Sequence, residues 1–294
     1  MILENIYSGL SLNLVIITLY IIAKAKRRKH CMKQEILDTF LSIKNVEKIF
    51  NIFAKENIEI RLVGGCIRDY LLNAESKDID FAVNCHPKEL IQILNKNKIT
   101  YNDYAIKYGS VAINSSEMNF ELTSLREDTN QKGRQTEVKF TNDWQKDALR
   151  RDFTMNALYL SSSGSFYDYF NGEKDITNNQ VKFIGKIDKR IQEDYLRIFR
   201  YYRFLGCFKY LNIIEGYQES LIKHIPQIKK YIKFEIMRNE ILKMLKNKYA
   251  INSLRDFNRI GKKNELIDTV NNWWLEDNYF IGLEKCMNKV NSFF

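Results

Sequence analysis

Apolar and polar positions alternate in two ways along the first half of the chain. Short runs rich in apolar and β-branched residues predict strands at 60–63, 110–113, 119–123, 157–160 and 165–169. The segment 78–83 follows the same pattern, since Phe81, Ala82 and Val83 continue two alternating carboxylates. Between these runs, the polar stretch 127–137 carries no apolar period and predicts a mobile loop.

Helical spacing of apolar residues marks the segments around and after these strands. The 3.6-residue period predicts helices at 34–55, 67–72 and 87–95. From residue 188 onward the pattern is helical, and it is clearest at 186–205, 218–232, 234–245 and 251–259. The chain is therefore predicted to have an α+β first part followed by an all-α part.

Glycines and charged residues are concentrated between residues 62 and 80. Gly64 and Gly65 end the first predicted strand, and a backbone without side chains can approach a bulky anion closely. Arg68 follows within reach of a triphosphate, and the amides that begin the helix at 67–72 would point toward it. An ordinary glycine turn beside a surface arginine is the alternative.

Asp78 and Asp80 are two residues apart on a predicted strand, so their side chains share one face. Two carboxylates in this position repel each other unless a cation lies between them, and Mg²⁺ prefers such oxygen ligands. Glu121 lies on a strand predicted to pair nearby and is the candidate third acid. Metal-dependent transfer of a phosphate-bearing group is the predicted chemistry; a solvated strand end is the alternative.

The composition of the chain indicates a class of binding partner. The chain has 294 residues and a formal net charge of +10, which favours a polyanion such as nucleic acid or an acidic membrane surface. An AT-rich genome, which raises the lysine content of its proteins, would give the same excess. Five cysteines without paired spacing and three histidines indicate free thiols in a reducing cytoplasm rather than a zinc site.

The N-terminal residues 1–31 form an apolar and then basic extension. Residues 5–23 carry no charge and precede a basic cluster at 24–29. A spanning helix needs about 20 apolar residues, and this stretch is diluted by polar ones, so it is marginal for a spanning helix and membrane contact is the alternative interpretation. A misassigned start before Met32 is the favoured interpretation.

Three motifs in order resemble one known family. Gly64-Gly65-x-x-Arg68-Asp69 followed by Asp78-x-Asp80 resembles the start of class II tRNA nucleotidyltransferases (CCA-adding enzymes) and bacterial poly(A) polymerases. Residues 150–158 are similar to the second motif of that family, and residues 193–204 to its nucleotide-selecting motif. The resemblance covers roughly residues 59–245.

The resemblance implies a fold and an activity. It implies a DNA polymerase β-like head with a mixed sheet at 32–170, a helical neck at 171–250 and a truncated helical body at 251–294. The implied activity is metal-dependent, template-independent addition of C and A to the 3′ end of tRNA, from CTP and ATP. Mg²⁺ is the implied cofactor.

Two arginines and an aspartate in the second motif are candidate nucleotide ligands. An aspartate accepts hydrogen bonds from ribose hydroxyls, and arginine grips phosphate oxygens with a planar fork. The resemblance favours Arg151 and Asp152, and it extends the basic helical surface to Arg200 and Arg203. A surface ion pair is the alternative for at least one of the two neighbouring arginines, Arg150 and Arg151.

Asp194 and Arg197 form the predicted base-selecting pair. At positions i and i+3 of one predicted helix they face the same way. A carboxylate accepts and a guanidinium donates, which matches the amino group and ring nitrogen of cytosine and adenine but not the edges of guanine and uracil. An intrahelical salt bridge is the alternative.

Other functions remain open on the sequence. A poly(A) polymerase shares the metal site, although residues 106–111 are more similar to the CCA-adding version. A non-catalytic RNA-binding relative, a nucleotidyltransferase for small molecules or proteins, and membrane-tethered RNA processing are further alternatives.

Overall fold

A computed structural model describes residues 34–261 except for 77, 115–117 and 133–134. The predicted extension at residues 1–31, the apolar stretch at 5–23 and most of the predicted body at 251–294 lie outside these residues. Among the described residues no helix is both long and apolar enough to cross a membrane. The domain boundaries after residues 170 and 250 stay predictions.

Eight strands form two sheets. In chain order they are β1 Ile60–Val63, β2 Asp78–Val83, β3 Ser110–Asn114, β4 Asn119–Ser124, β5 Arg126–Lys132, β6 Gln135–Phe140, β7 Leu158–Ser161 and β8 Phe166–Asp168. Six of them form a sheet in the order β3-β4-β2-β1-β7-β8, in which β2 and β4 run parallel and the other neighbours antiparallel. The predicted strands are confirmed, as is the mixed sheet.

The predicted mobile loop at 127–137 is wrong, because this segment belongs to the hairpin of β5 and β6. β5 has no apolar residue and β6 has only Val138 and Phe140 at its end, so no apolar alternation extends through the hairpin in the sequence. The hairpin is held at its base by Arg126, whose side chain donates to the carbonyl of Tyr108 and whose amide donates to Asp147. These polar contacts give no periodic apolar signal.

Twelve α-helices surround and follow the sheet in the described part of the chain. They are α1 at residues 34–41, α2 Val46–Lys55, α3 Gly65–Leu71, α4 Pro87–Lys96, α5 Trp144–Leu149, α6 Gly172–Thr177, α7 Ile187–Glu193, α8 Leu196–Leu205, α9 Tyr217–His224, α10 Ile228–Tyr231, α11 Phe234–Leu245 and α12 Ala250–Gly261. A short 3₁₀ segment, Thr154–Asn156, precedes β7. The α+β and then all-α order is confirmed.

Three predicted helices are divided in the structure. The helix predicted at 34–55 breaks between α1 and α2, where Asn45 adopts a left-handed φ of 74°. The helix predicted at 186–205 breaks at Asp194, whose backbone is extended. The segment 218–232 is split into α9, a 3₁₀ turn and α10. Apolar spacing alone misses such breaks, because it persists across them.

One apolar core joins the sheet to the helices of the C-terminal part. Phe153 beside the sheet, Phe183, and Tyr201 on α8 are buried and in ring contact, with the last two stacked at 5.9 Å. Phe204, also on α8, meets Phe153 edge-on at 5.3 Å. The core therefore fixes α8 against the part of the sheet that carries the second motif.

Candidate active site

Carboxylates from β2 and β4 meet at the centre of the sheet. Ile79 is fully buried between Asp78 and Asp80, so both aspartates point to the opposite face. Parallel pairing places Asp80 opposite Glu121 and Asp78 opposite Asn119, whose amide donates to Asp78 Oδ1 at 3.2 Å. The strand, the shared face and the neighbouring strand for Glu121 are as predicted; their chemical roles stay predictions.

The electrostatics of this group favour a bound cation. Burial raises the pKa of Asp80 to about 6, and the nearby Glu121 and Asp78 carboxylates add to the rise while Arg151 opposes it. Negative charge held together in this way fits a divalent cation. No set of three His, Cys, Asp or Glu side chains forms a complete metal site within the described ranges. Water and substrate phosphate would supply further ligands, as Mg²⁺ commonly requires.

The bend after β1 leaves no room for a side chain. Gly64 has a φ of +75°, and a Cβ there would lie 3.1 Å from Arg151 Nη1 and 3.3 Å from the Asn156 carbonyl. The next residue, Gly65, begins α3, two residues earlier than predicted. Gly64 therefore allows β1, α3 and the second motif to meet at one point, whereas a Cβ at Gly65 would make only ordinary contact with Arg68 at 3.7 Å.

Arg68 projects from α3 and is held on several sides. Its Nε and Nη2 atoms pair with Asp69 Oδ1 at 2.8 and 2.7 Å, and its Nη1 donates to Asn156 Oδ1 at 2.7 Å. Its guanidinium also lies 4.7 Å from the ring of Phe204 on α8. Arg68 is thus ordered before any ligand arrives.

A buried aspartate orders the arginines of the second motif. Asp147, on α5, is 1% exposed and accepts from Arg150 at 2.9 Å, Arg151 at 3.4 Å and the Tyr159 hydroxyl at 2.8 Å. Burial opposes its ionisation, but Arg150 and Arg151 outweigh burial and lower its pKa. Asp147 was not among the predicted site residues, although its spacing of three and four residues before the arginines is a helical ion-pair signal.

Asp152 joins the second motif to α8. Its Oδ1 accepts from the Phe153 amide at 2.9 Å and Asn156 Nδ2 at 3.0 Å, while its Oδ2 accepts from Arg200 Nε at 2.7 Å. Burial opposes ionisation, but Arg200 and the Asn156 hydrogen bond outweigh it and lower the pKa of Asp152 to about 2. Asp152 is therefore a fixed anion at the cleft wall.

The predicted base-selecting pair does not lie on one continuous helix. Asp194 has φ −155° and ψ 107°, so it separates α7 from α8, and its Oδ1 accepts from the amide of Leu196 at 3.0 Å. Arg197 lies on α8 and is anchored through Nη1, which donates to Glu193 Oε2 at 2.6 Å and the Arg190 carbonyl at 2.7 Å. The prediction that Asp194 and Arg197 lie at i and i+3 of one helix is therefore wrong. The Asp194 carboxylate instead accepts a hydrogen bond from a free amide at the start of a new helix.

Arg190 and Glu193, which were not among the predicted site residues, connect this junction to the second motif. Arg190 Nη2 donates to the carbonyls of Arg150 and Arg151 at 2.9 and 2.6 Å, and its Nη1 pairs with Glu193 at 2.7 Å. Only Glu193 carried a signal, as the first residue of the third motif.

A cleft of about 370 Å³ collects these side chains. Its lining is mainly basic, with Gly64, Gly65, Arg68, Asp80, Arg150, Arg151, Asp152, Asn156, Asp194, Arg197, Arg200, Arg203 and Phe204. All the predicted nucleotide-binding residues are among them, and Arg203 is braced by Glu240 of α11 at 2.9 Å. Asp78 and Glu121 are outside the lining. Six arginines against three aspartates suit a polyphosphate.

Comparison with known proteins finds a family model that matches part of this site. Residues 60–182 match the model of the poly A polymerase head domain. The Homo sapiens protein named CCA tRNA nucleotidyltransferase 1, mitochondrial, is 44% identical over 167 residues, which are 56% of this chain and 38% of that protein. The CCA-adding enzyme of Listeria monocytogenes serotype 4a (strain HCC23) is 32% identical over 194 residues, 65% of this chain and 48% of that one. This chain thus spans less than half the length of these curated relatives.

Solved structures give the same result for the fold. The crystal structure of the Bacillus stearothermophilus CCA-adding enzyme in complex with CTP has a TM-score of 0.62 at 26% identity, and the match covers 70% of this chain and 49% of that chain. Residues 60–182 are therefore similar to the poly A polymerase head domain, and the curated relatives and the solved structure that share this similarity are CCA-adding enzymes.

Proposed function

We propose that this protein adds C and A nucleotides to the 3′ end of tRNA from CTP and ATP, without a nucleic-acid template and with Mg²⁺. The observation that carries the proposal is a cleft in which an acidic strand residue, Asp80, lies together with six arginines. The name of the human relative and the CTP complex of the Bacillus enzyme support the substrate class.

The acidic and the basic residues of the site have different proposed roles. Asp78 and Asp80, with Glu121 beside them, would hold the divalent ion, which stabilises charge at the attacking and leaving oxygens of nucleotidyl transfer. Arg68, Arg151 and Arg203 lie ready to bind the triphosphate. Because their guanidinium groups are already braced by neighbouring side chains, little ordering entropy is lost when the nucleotide binds.

The ribose and base are assigned to the far wall of the cleft. Asp152 is an ionised acceptor for ribose hydroxyls, and Arg200 fixes its orientation. Asp194 and Arg197 both line the cleft and are assigned the Watson–Crick edge of C or A. Although they are on different elements, the anchor between Glu193 and Arg197 holds the guanidinium in place for this role.

The test is extension of a tRNA transcript that lacks its terminal CCA, with each NTP singly and with all four together in Mg²⁺ buffer. We expect incorporation of C and A, no incorporation of G or U, and no extension by Asp80→Asn. The matched control is Asp103→Asn, an exposed carboxylate in the loop before β3 that is outside the cleft. Unchanged extension by Asp80→Asn would contradict the proposal.

Poly(A) addition is the second candidate, because the matching family model is described as a poly A polymerase head domain. Long A tails from ATP alone, without a requirement for CTP, would favour it. A cytoplasmic location stays a prediction, and the human relative is named as mitochondrial. Membrane contact through residues 5–23 also stays a prediction.

A further inference from the structure

Asn156 lies where the candidate phosphate and ribose ligands meet, and the proposed function gives it no role. It ends the short 3₁₀ segment that follows Asp152, it lines the cleft, and only 7% of it is exposed. In the sequence, Asn156 is one residue of the second motif and was not among the predicted site residues.

Both ends of the Asn156 side chain are used. Its Oδ1 accepts from Arg68 Nη1 at 2.7 Å, and its Nδ2 donates to Asp152 Oδ1 at 3.0 Å. The two partners also fix which end of the amide is which, because a guanidinium only donates and a carboxylate only accepts. In addition, the Asn156 carbonyl accepts from Arg151 Nη1 at 3.3 Å.

A neutral amide between opposite charges has a particular consequence. Arg68 and Asp152 attract each other, and a direct ion pair would turn their hydrogen-bonding groups away from a ligand. The amide satisfies one group on each and keeps the two charges apart. Aspartate in this position would set two carboxylates against each other, and serine is too short to reach both partners.

We propose that Asn156 is a positioning residue, which holds Arg68 and Asp152 at a fixed separation so that one nucleotide meets both with its phosphates and its ribose. This inference rests on the proposed function, which assigns phosphate to Arg68 and ribose to Asp152. Its effect is a coupling between triphosphate binding and recognition of the 2′-OH, the group that distinguishes a ribonucleotide from a deoxyribonucleotide.

The test compares the Kd values of CTP and dCTP for the full chain, in Ca²⁺ buffer without RNA. We expect the wild type to prefer CTP and Asn156→Ser to weaken CTP binding by about tenfold, since charge-assisted hydrogen bonds are lost. We expect the binding of dCTP to weaken less, so that the preference for CTP disappears. Asn97→Ser, which removes an amide hydrogen bond at the end of α4, is the matched control and should leave both Kd values unchanged.

A second variant separates positioning from packing. Asn156→Asp keeps the acceptor for Arg68 but sets a second carboxylate beside Asp152, so a shared proton becomes necessary. The ratio of variant to wild-type CTP affinity should then rise as the pH falls from 8 to 6. A residue that only fills space would show no such pH profile.

Two results would overturn the inference. One is an unchanged ratio of CTP to dCTP affinity in folded Asn156→Ser and Asn156→Asp. The other is equal affinity of the wild type for CTP and dCTP. The site would then not recognise the 2′-OH, and Asn156 would have no such recognition to support. Failure of the proposed function is seen separately, as absence of tRNA extension by the wild type.

Discussion

At the scale of single residues, the cleft depends on buried carboxylates that bind arginine rather than substrate. Asp147 is the clearest case, since it holds Arg150, Arg151 and Tyr159 from inside the fold. Its position keeps two cations oriented toward the cleft while neutralising part of their charge. Such a residue affects both stability and activity, and the two effects are separable by measurement.

Asp147→Ala should lower the free energy of unfolding by about 3 kcal/mol, because it leaves two partly buried guanidinium groups without their partner. Urea denaturation monitored by circular dichroism measures this. Glu56→Gln, which breaks the exposed pair with Lys96, is the control and should cost less than about 1 kcal/mol. Equal losses in the two variants would show that Asp147 does not have this role.

The ionisation of Asp152 makes the free energy of unfolding depend on pH. Its folded-state pKa of about 2 lies below its ordinary value of 3.8, so its ionised form stabilises the fold above pH 4, and this contribution is lost as the pH falls toward 2. The difference corresponds to about 2 kcal/mol. Asp152→Asn should therefore be less stable than the wild type at pH 7, and the gap should narrow between pH 4 and pH 3. A gap that stays constant over this range would contradict the assignment.

At the scale of elements, helix breaks decide the geometry of the cleft. Apolar spacing predicted the strands and most helix positions, because burial of one face determines both. It could not find the break at Asp194, since Ile191, Leu196 and Phe199 are buried on both sides of it. Nor could it find the β5–β6 hairpin, which is supported by backbone pairing and the partly buried Arg126 rather than by an apolar period along both strands.

The residues of the candidate site, like the elements of the fold, could be predicted from the sequence only in part. Gly64, Arg68, Asp80 and the later arginines could be predicted because charged and glycine residues in a fixed order carry a chemical pattern. Asn156 could not be, because its role comes from contacts with residues that only the fold brings near, and the helical spacing of Asp147 to its two arginines does not show its contact with Tyr159. The pairing of Asp194 with Arg197 was predicted from helical spacing, and the structure instead pairs Arg197 with Glu193.

The break at Asp194 gives an element-scale prediction. Asp194→Ala removes the acceptor for the Leu196 amide and should lower stability by about 1 kcal/mol, as loss of a helix-end side chain does. Asp194→Asn keeps an acceptor and should keep the stability, while its new amide donor alters nucleotide choice. Thermal denaturation and single-nucleotide extension assays together check this. Equal base choice in wild type and Asp194→Asn would argue against a base-selecting role.

The break at Asn45 gives a second prediction at the scale of elements. Its φ of 74° lies in the left-handed region, which glycine and asparagine tolerate and β-branched residues do not. Asn45→Val should cost about 1–2 kcal/mol, whereas Asn45→Gly should be nearly neutral. Chemical denaturation of the two variants side by side is the measurement, and similar losses in both would show that strain at this position is unimportant.

At the scale of the whole molecule, the sheet and the C-terminal helices are joined by more than chain connectivity. Phe153 packs against Phe183, Tyr201 and Phe204, while Arg190 binds the carbonyls of the second motif and Arg200 binds Asp152. Both apolar and ionic contacts therefore cross between the sheet and α7–α8.

We expect the two parts to unfold together in one transition. A variant with Trp273 and Trp274 changed to Phe leaves Trp144 as the only tryptophan, and it lies beside the sheet against Tyr159. Its fluorescence and the far-ultraviolet dichroism, which is dominated by helices, should give the same urea midpoint. Two separate midpoints would show that the parts are independent.

The ion pair between Asp152 and Arg200 restricts how such a protein can be recombined. Its two partners come from segments 48 positions apart in the chain. A chimaera that took the sheet from one homologue and α8 from another would inherit half of each contact. A chimaera of two relatives is therefore expected to fold and function only when Asp152 and Arg200 come from the same parent, whatever the sequence identity between the parents.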